Sequence, residues 1–181
     1  EFNLNGIDAK EFPDIDLELS PDFVSMSISS FKSLITQTNY ACSLDEARVV
    51  LTGVNIKIND DNLECSATDS YRLALKKHKL TKSVNNSADI IIPSKNLSEL
   101  LKLLTSSDDE SIEMHLFSNK VIFKFNNILF QSRLINGTYP NTKNLIPSES
   151  LFDLKLDTNE FYSMVDRASI LNNDNDNNII T

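Results

Sequence analysis

Three glycines, two cysteines, two histidines and a shortage of positive charge mark this 181-residue sequence, and each scarcity removes a class of function. With only Gly6, Gly53 and Gly137 available, no glycine-rich loop can cradle a phosphate. His78 and His115 stand far apart, and no Cys/His set has metal-ligand spacing, so neither a metal nor any other cofactor is expected. Cys42 and Cys65 form no close pair and sit among apolar residues, as reduced, buried thiols of a cytoplasmic protein would. No apolar run approaches the ~20 residues that span a bilayer, and residues 1–3 show no secretory leader. Seventeen basic against 26 acidic side chains leave a net charge of −9, which disfavours tight, sequence-independent nucleic-acid binding but allows a local basic stripe. Catalysis has no evident machinery, and the chain is expected not to be an enzyme. Asp14, Asp16 and Glu18 alternate on an extended segment that could hold a cation weakly, or be a solvated linker; Asp108, Asp109 and Glu110 read the same way.

What is present is periodicity. Phe2 and Leu4 alternate like a half-buried strand, and acidic residues 9–21, holding two prolines, read as a linker. Val24, Met26 and Ile28 alternate before a helix, capped by Ser29 or Ser30, whose Phe31, Leu34, Ile35 and Thr38 fall at i, i+3, i+4 and i+7. Leu51, Val54, Ile56 and Ile58 form a strand, 60–62 a turn, and Leu63, Cys65 and Ala67 the return strand of a hairpin. Leu73 and Leu75 suggest a third strand, and residues 78–89 a polar connection. Ile90, Ile91 and Ile92 make a short strand, and Pro93 and Ser94 open a second helix with Leu97, Leu100, Leu101 and Leu104 on one stripe. Three more alternating strands follow over 112–116, 121–125 and 128–134, with His115 expected to face solvent. At an offset of 130 the opening repeats: Met26, Phe31, Ser33, Leu34 and Ile35 meet Leu156, Phe161, Ser163, Met164 and Val165. Leu154 and Leu156 then precede a helix capped by Asp157 or Thr158. The chain opens on Glu1 and stops on the strand-like 178–181, so it is expected to be a fragment.

Residues 65–74 break the strand pattern with a Thr-Asp-Ser turn that presents Tyr71, Arg72 and Leu73 together. Aromatic, guanidinium and aliphatic groups side by side suit peptide recognition, while a plain surface turn carrying an arginine is the alternative.

The run Ala67-Thr68-Asp69-Ser70-Tyr71-Arg72-Leu73-Ala74 resembles the Ala-Thr-Asp-x-x-Arg-Leu-Ala signature of the bacterial DNA polymerase III β subunit, the sliding clamp family. Four further stretches resemble the family in the same order: Ala9-Lys10-Glu11-Phe12-Pro13; Ala47-Arg48-Val49-Val50-Leu51-Thr52-Gly53-Val54, with its Arg-x-x-Leu-x-Gly pattern; Ile92-Pro93-Ser94-Lys95; and Arg133-Leu134-Ile135-Asn136-Gly137-Thr138-Tyr139-Pro140. The resemblance implies an α+β fold in which each clamp domain packs two helices on antiparallel sheets. It implies residues 1–19 as the end of domain one and a linker, 20–147 as a complete middle domain, and 148–181 as the start of domain three. It further implies a non-catalytic processivity factor: a homodimeric ring that encircles double-stranded DNA and tethers the DNA polymerase III catalytic subunit, the clamp loader and other clamp-motif proteins. The alternative is a stand-alone interaction module of the same fold, and an isolated chain of this length is expected to be monomeric.

By the same resemblance, a Gln-Leu-x-Leu-Phe-like peptide would enter a pocket of Leu51, Thr68, Ser70, Tyr71, Arg72, Leu73, Pro140 and Leu145. Lys32, Arg48, Lys95 and Lys102 would face DNA, although Lys95 and Lys102 share a helix face with Glu99 and could instead form a salt-bridge stripe. Two departures stand out. Ser70-Tyr71 replaces the Gly-His of many clamps, and Asn144 replaces a basic residue.

Overall fold

The computed structural model describes residues 6–12, 16–84, 87–104, 110–147 and 149–170, with the backbone alone at 143 and 144. The strand expected at Phe2 and Leu4 lies outside them, as do most of the acidic cluster at 106–110 and the Asn-rich stretch after 170. The chain divides into two compact units, residues 1–142 and 143–181.

Among its described residues the first unit holds eight strands in two antiparallel sheets. Strands β1 (Phe23–Ser27), β6 (Ser111–Leu116), β7 (Lys120–Phe125) and β8 (Ile128–Arg133) form one sheet in the order β1-β6-β7-β8. Strands β4 (Leu73–Lys79), β3 (Asn62–Thr68), β2 (Gly53–Asn59) and β5 (Ala88–Pro93) form the other, in the order β4-β3-β2-β5. Helices α1 (Ile28–Thr36) and α2 (Ser94–Leu103) follow β1 and β5. Two strand-helix-strand-strand-strand halves therefore interlock, each lending its first strand to the other half's sheet.

Alternation explains why these segments are strands. Val24 and Met26, Ile56 and Ile58, Ile112 and Met114, and Val121 and Phe123 all turn inward and are nearly inaccessible. The helices add Phe31, Leu34, Ile35, Leu97 and Leu100 to the same core. Asn39, just beyond α1, donates through Nδ2 to the Ser94 carbonyl (3.4 Å) at the start of α2 and to Ser98 Oγ (2.9 Å), whereas Lys32, midway along α1, donates to the Leu104 carbonyl (3.3 Å) just past the end of α2. The two helices thus lie side by side and antiparallel.

Two-residue turns set the hairpin registers. Asn59 opposes Asn62 across Asp60-Asp61, and Phe125 opposes Ile128 across Asn126-Asn127. Asp60 (φ 53°) and Asn126 (φ 50°) adopt left-handed backbone, which their short polar side chains tolerate.

Four local expectations are corrected. The α1 cap is Ser27, whose hydroxyl accepts from the Ser30 amide; Ser29 and Ser30 already lie in the first turn. Leu51 belongs to a 3-10 segment, Glu46–Thr52, because pairing of β2 with both neighbours begins only near Gly53. Strand β4 runs on through His78, which pairs with Leu63, so the polar connection is shorter than its composition suggests.

The fourth correction is His115, which is 3% exposed. Residues 16–22 fold across β6. Ser20 offers its carbonyl to Nδ1 (2.7 Å), Phe23 packs its ring 5.1 Å from the imidazole, and Lys120 anchors the Asp16 carbonyl and carboxylate. Alternation correctly placed His115 opposite the core; a second layer then covered it.

In the second unit, α3 (Thr158–Ser169) is capped by Asp157, whose carboxylate accepts from the Asn159 and Glu160 amides. Leu154 and Leu156 form no strand, since no described residue offers them a ladder of backbone partners.

Candidate partner-recognition site

The hairpin between β3 and β4 closes through a turn built almost entirely from its own polar groups. Asp69 accepts from the Tyr71 and Arg72 amides through Oδ1 (2.9 and 3.0 Å) and from Arg72 Nε through Oδ2 (3.0 Å). The Arg72 and Tyr71 backbone N–H groups, with the guanidinium, hold its carboxyl below the usual carboxylate range. Thr68 donates its hydroxyl to the Arg72 carbonyl (2.7 Å) and accepts the Ser70 amide (3.1 Å). Its own buried amide donates to the Tyr139 phenol oxygen (3.0 Å). Residues 68–73 are therefore held from within by Asp69 and from beneath by Tyr139.

This scaffold displays Tyr71, which is 95% exposed, beside an exposed Arg72 and a half-buried Leu73. The Arg72 guanidinium lies 5.7 Å from the centroid of the exposed Tyr40 ring, a cation–π contact that, with Asp69, fixes the direction of its remaining donors. Pro140, exposed, follows Tyr139 directly. Leu51 is only 6% exposed and packs with Ile91, Tyr139, Val50 and Ile135, so in this conformation it supports the site more than it opens onto solvent. Of the eight expected pocket residues, seven lie in the first unit; Leu145 is exposed in the second.

Gly53 makes the support possible. A Cβ there would come 2.6 Å from the Ile92 carbonyl oxygen and 2.8 Å from Ile91 Cγ2, and the latter residue belongs to the Leu51–Tyr139 cluster. Burial pushes the Tyr139 phenol up to about 12. Tyr139 and Tyr40 were missed as site residues. Tyr139 stood in a recognised motif without a role, and Tyr40 precedes Arg72 by 32 positions with no local pattern linking them.

The cations expected to face DNA differ in freedom. Lys32 is half-buried, its ammonium donating to the Leu104 carbonyl at the C-cap of α2. Lys102 pairs with Glu99 at 2.8 Å. Lys95 is exposed and, among the described residues, forms no ion pair. Arg48 is exposed, with Nε 3.0 Å from Asp45 Oδ2 and Nη1 donating to Ser70 Oγ (2.9 Å). The buried thiols of Cys42 and Cys65 are pushed up to about 11 and about 12 and remain unpaired. Among the described residues no helix is long and apolar enough to cross a membrane.

Two interlocked strand-helix-strand-strand-strand halves, with the two helices side by side and an internally stapled turn at a sheet end, define a clamp-type domain. Residues 25–141 match the model of the DNA polymerase III beta subunit, central domain. The beta sliding clamp of Staphylococcus aureus is 43% identical over 180 residues, 99% of this chain and 47% of the relative; that of Bacillus subtilis is 42% identical over the same length. The crystal structure of the DNA polymerase sliding clamp from Bacillus subtilis superposes with a TM-score of 0.88 at 40% identity, covering 97% of this chain and 46% of the other. The chain belongs to the DNA polymerase III β subunit (sliding clamp) family, and spans about half the length of the curated relatives it matches.

Proposed function

We propose that this chain is the central part of a replication processivity factor, a non-catalytic ring of two full-length copies around duplex DNA that tethers polymerase and other partners in the cytoplasm. Residues 1–19 would close a preceding domain, 20–147 form the middle one, and 148–181 begin the next. The observation that carries this reading is the turn at 68–73, held rigid yet presenting Tyr71, Arg72 and Leu73 to solvent, in a chain of clamp fold. A preorganised turn loses little entropy when a peptide binds. Leu73 and Pro140 supply apolar contact, Thr68, Ser70 and Tyr71 shape the rim, and Arg72 offers donors to a peptide backbone, with Leu51 beneath. An acidic chain suits a ring that holds DNA by topology, with Lys95 as the free cation toward the phosphates and Arg48, Lys32 and Lys102, each already engaged within the chain, as lesser ones.

The test is fluorescence anisotropy of a labelled Gln-Leu-x-Leu-Phe peptide titrated with the chain and with Leu73→Asp. Saturable binding weakened by at least ~2 kcal/mol in the variant is expected for loss of an anchor contact. Equal affinity for the two proteins would remove the pocket assignment.

A further inference from the structure

Ser70 is one of three non-glycine described residues with positive φ, and unlike Asp60 and Asn126 it sits in no two-residue hairpin turn. At φ 79° its Cβ crowds the backbone, a conformation that persists only where neighbours hold it. The Ser70 amide is held by Thr68 Oγ1 (3.1 Å). Its hydroxyl accepts from Arg48 Nη1 (2.9 Å), on a chain segment 22 residues earlier. Arg48 is itself fixed: Asp45 takes its Nε (3.0 Å) and also caps the Glu46–Thr52 segment by accepting the Ala47 amide (3.0 Å). The Ala47 amide and the Arg48 guanidinium hold the Asp45 carboxyl below its ordinary range, so the anchor stays charged at neutral pH. An unbroken path Asp45–Arg48–Ser70 therefore ties the 3-10 segment carrying Leu51 to the turn displaying Tyr71 and Arg72.

We infer that Arg48 is a positioning residue for the recognition turn: through the Ser70 hydroxyl it holds the strained backbone of residues 68–73 in the shape that accepts a partner peptide. The inference rests on reading that turn as a peptide site. Arg48 need touch no peptide atom, and its effect must pass through Ser70. Ser70→Gly removes both the hydroxyl and the strain that the hydroxyl's partner offsets, so Arg48 becomes irrelevant to the turn in that background.

A double-mutant cycle of Arg48→Met and Ser70→Gly tests this, read two ways. Amide hydrogen exchange on the chain alone is expected to quicken at residues 70–73 in Arg48→Met. The peptide Kd is expected to rise about five-fold, the equivalent of one ordinary hydrogen bond. In the Ser70→Gly background the same substitution should change neither. An Arg48→Met effect of equal size in both backgrounds, or none in either, overturns the inference. If no protein in the cycle binds peptide, the peptide-site reading fails while exchange at the turn still decides whether Arg48 holds Ser70.

Discussion

Tyr139 shows how one side chain joins core packing to the shape of the candidate turn. Its ring closes the small cluster with Leu51 and Ile91, and its phenol oxygen takes the buried Thr68 amide at the root of the turn. Phenylalanine would keep the ring and strand the amide, so Tyr139→Phe is expected to lose about 1–2 kcal/mol in urea unfolding, the usual penalty for a buried donor left unpaired. The phenol also gives a pH signature. Burial raises it to about 12 from an ordinary value near 10, so the folded state favours the protonated form. That contribution is complete below about 10 and disappears as pH climbs toward 12. Stability of the parent relative to Tyr139→Phe should therefore converge across this window, since lysine titration is common to both. A difference that stays constant to pH 12 would mean the phenol is not protected. Asp69 works in the opposite sense. Its depressed carboxyl contributes above the ordinary carboxylate range and is lost on acidification, so the turn's amides should exchange faster in acid than those of the β6–β7 hairpin, relative to intrinsic rates.

Elements were legible wherever a two-residue period met a clear turn. The β6–β8 meander could be read almost to the residue, because Ile112, Met114, Val121, Phe123 and Phe125 face one core and Asn126 suits the turn. The failures share a cause: something outside the element's own period. His115 is covered by residues 16–22, β4 is prolonged by pairing with β3, and Leu51 is buried by Tyr139 and Ile135 from far along the chain. The turn at 68–73 was visible as a motif, but not its supports, since Tyr40, Arg48 and Tyr139 approach it only in space. Gly53 is where element and site meet, with β2 and β5 so close that a methyl group would press on the Ile92 carbonyl. Gly53→Ala is expected to lower the urea midpoint by the equivalent of about 1–3 kcal/mol, as overpacking against backbone does. It should also quicken exchange at Leu51 and Thr52. An unchanged midpoint would mean that the two strands part freely.

At the scale of the whole molecule, charge and fold pull in different directions. A protein that grips duplex DNA by neutralising phosphates needs a basic face, and this chain carries a net −9. Its helix-borne cations are partly spent: Lys32 on the Leu104 carbonyl and Lys102 on Glu99. Arg48 is engaged by Asp45 and Ser70, which leaves Lys95 as the freest of the four. A surface so arranged can lie beside DNA without holding it, which is what the proposed ring, sliding and retained by enclosure, would require. The isolated chain is accordingly expected to bind a short linear duplex more weakly than about 0.1 mM at physiological salt, the weak end of non-specific association. Anisotropy of a labelled duplex measures this, with Lys95→Glu as a companion that should change little, because little binding exists to lose. Micromolar affinity that falls steeply with salt and with Lys95→Glu would show instead that the helix face grips phosphate directly. Retention by enclosure would then be unnecessary, and the ring reading would lose its electrostatic support.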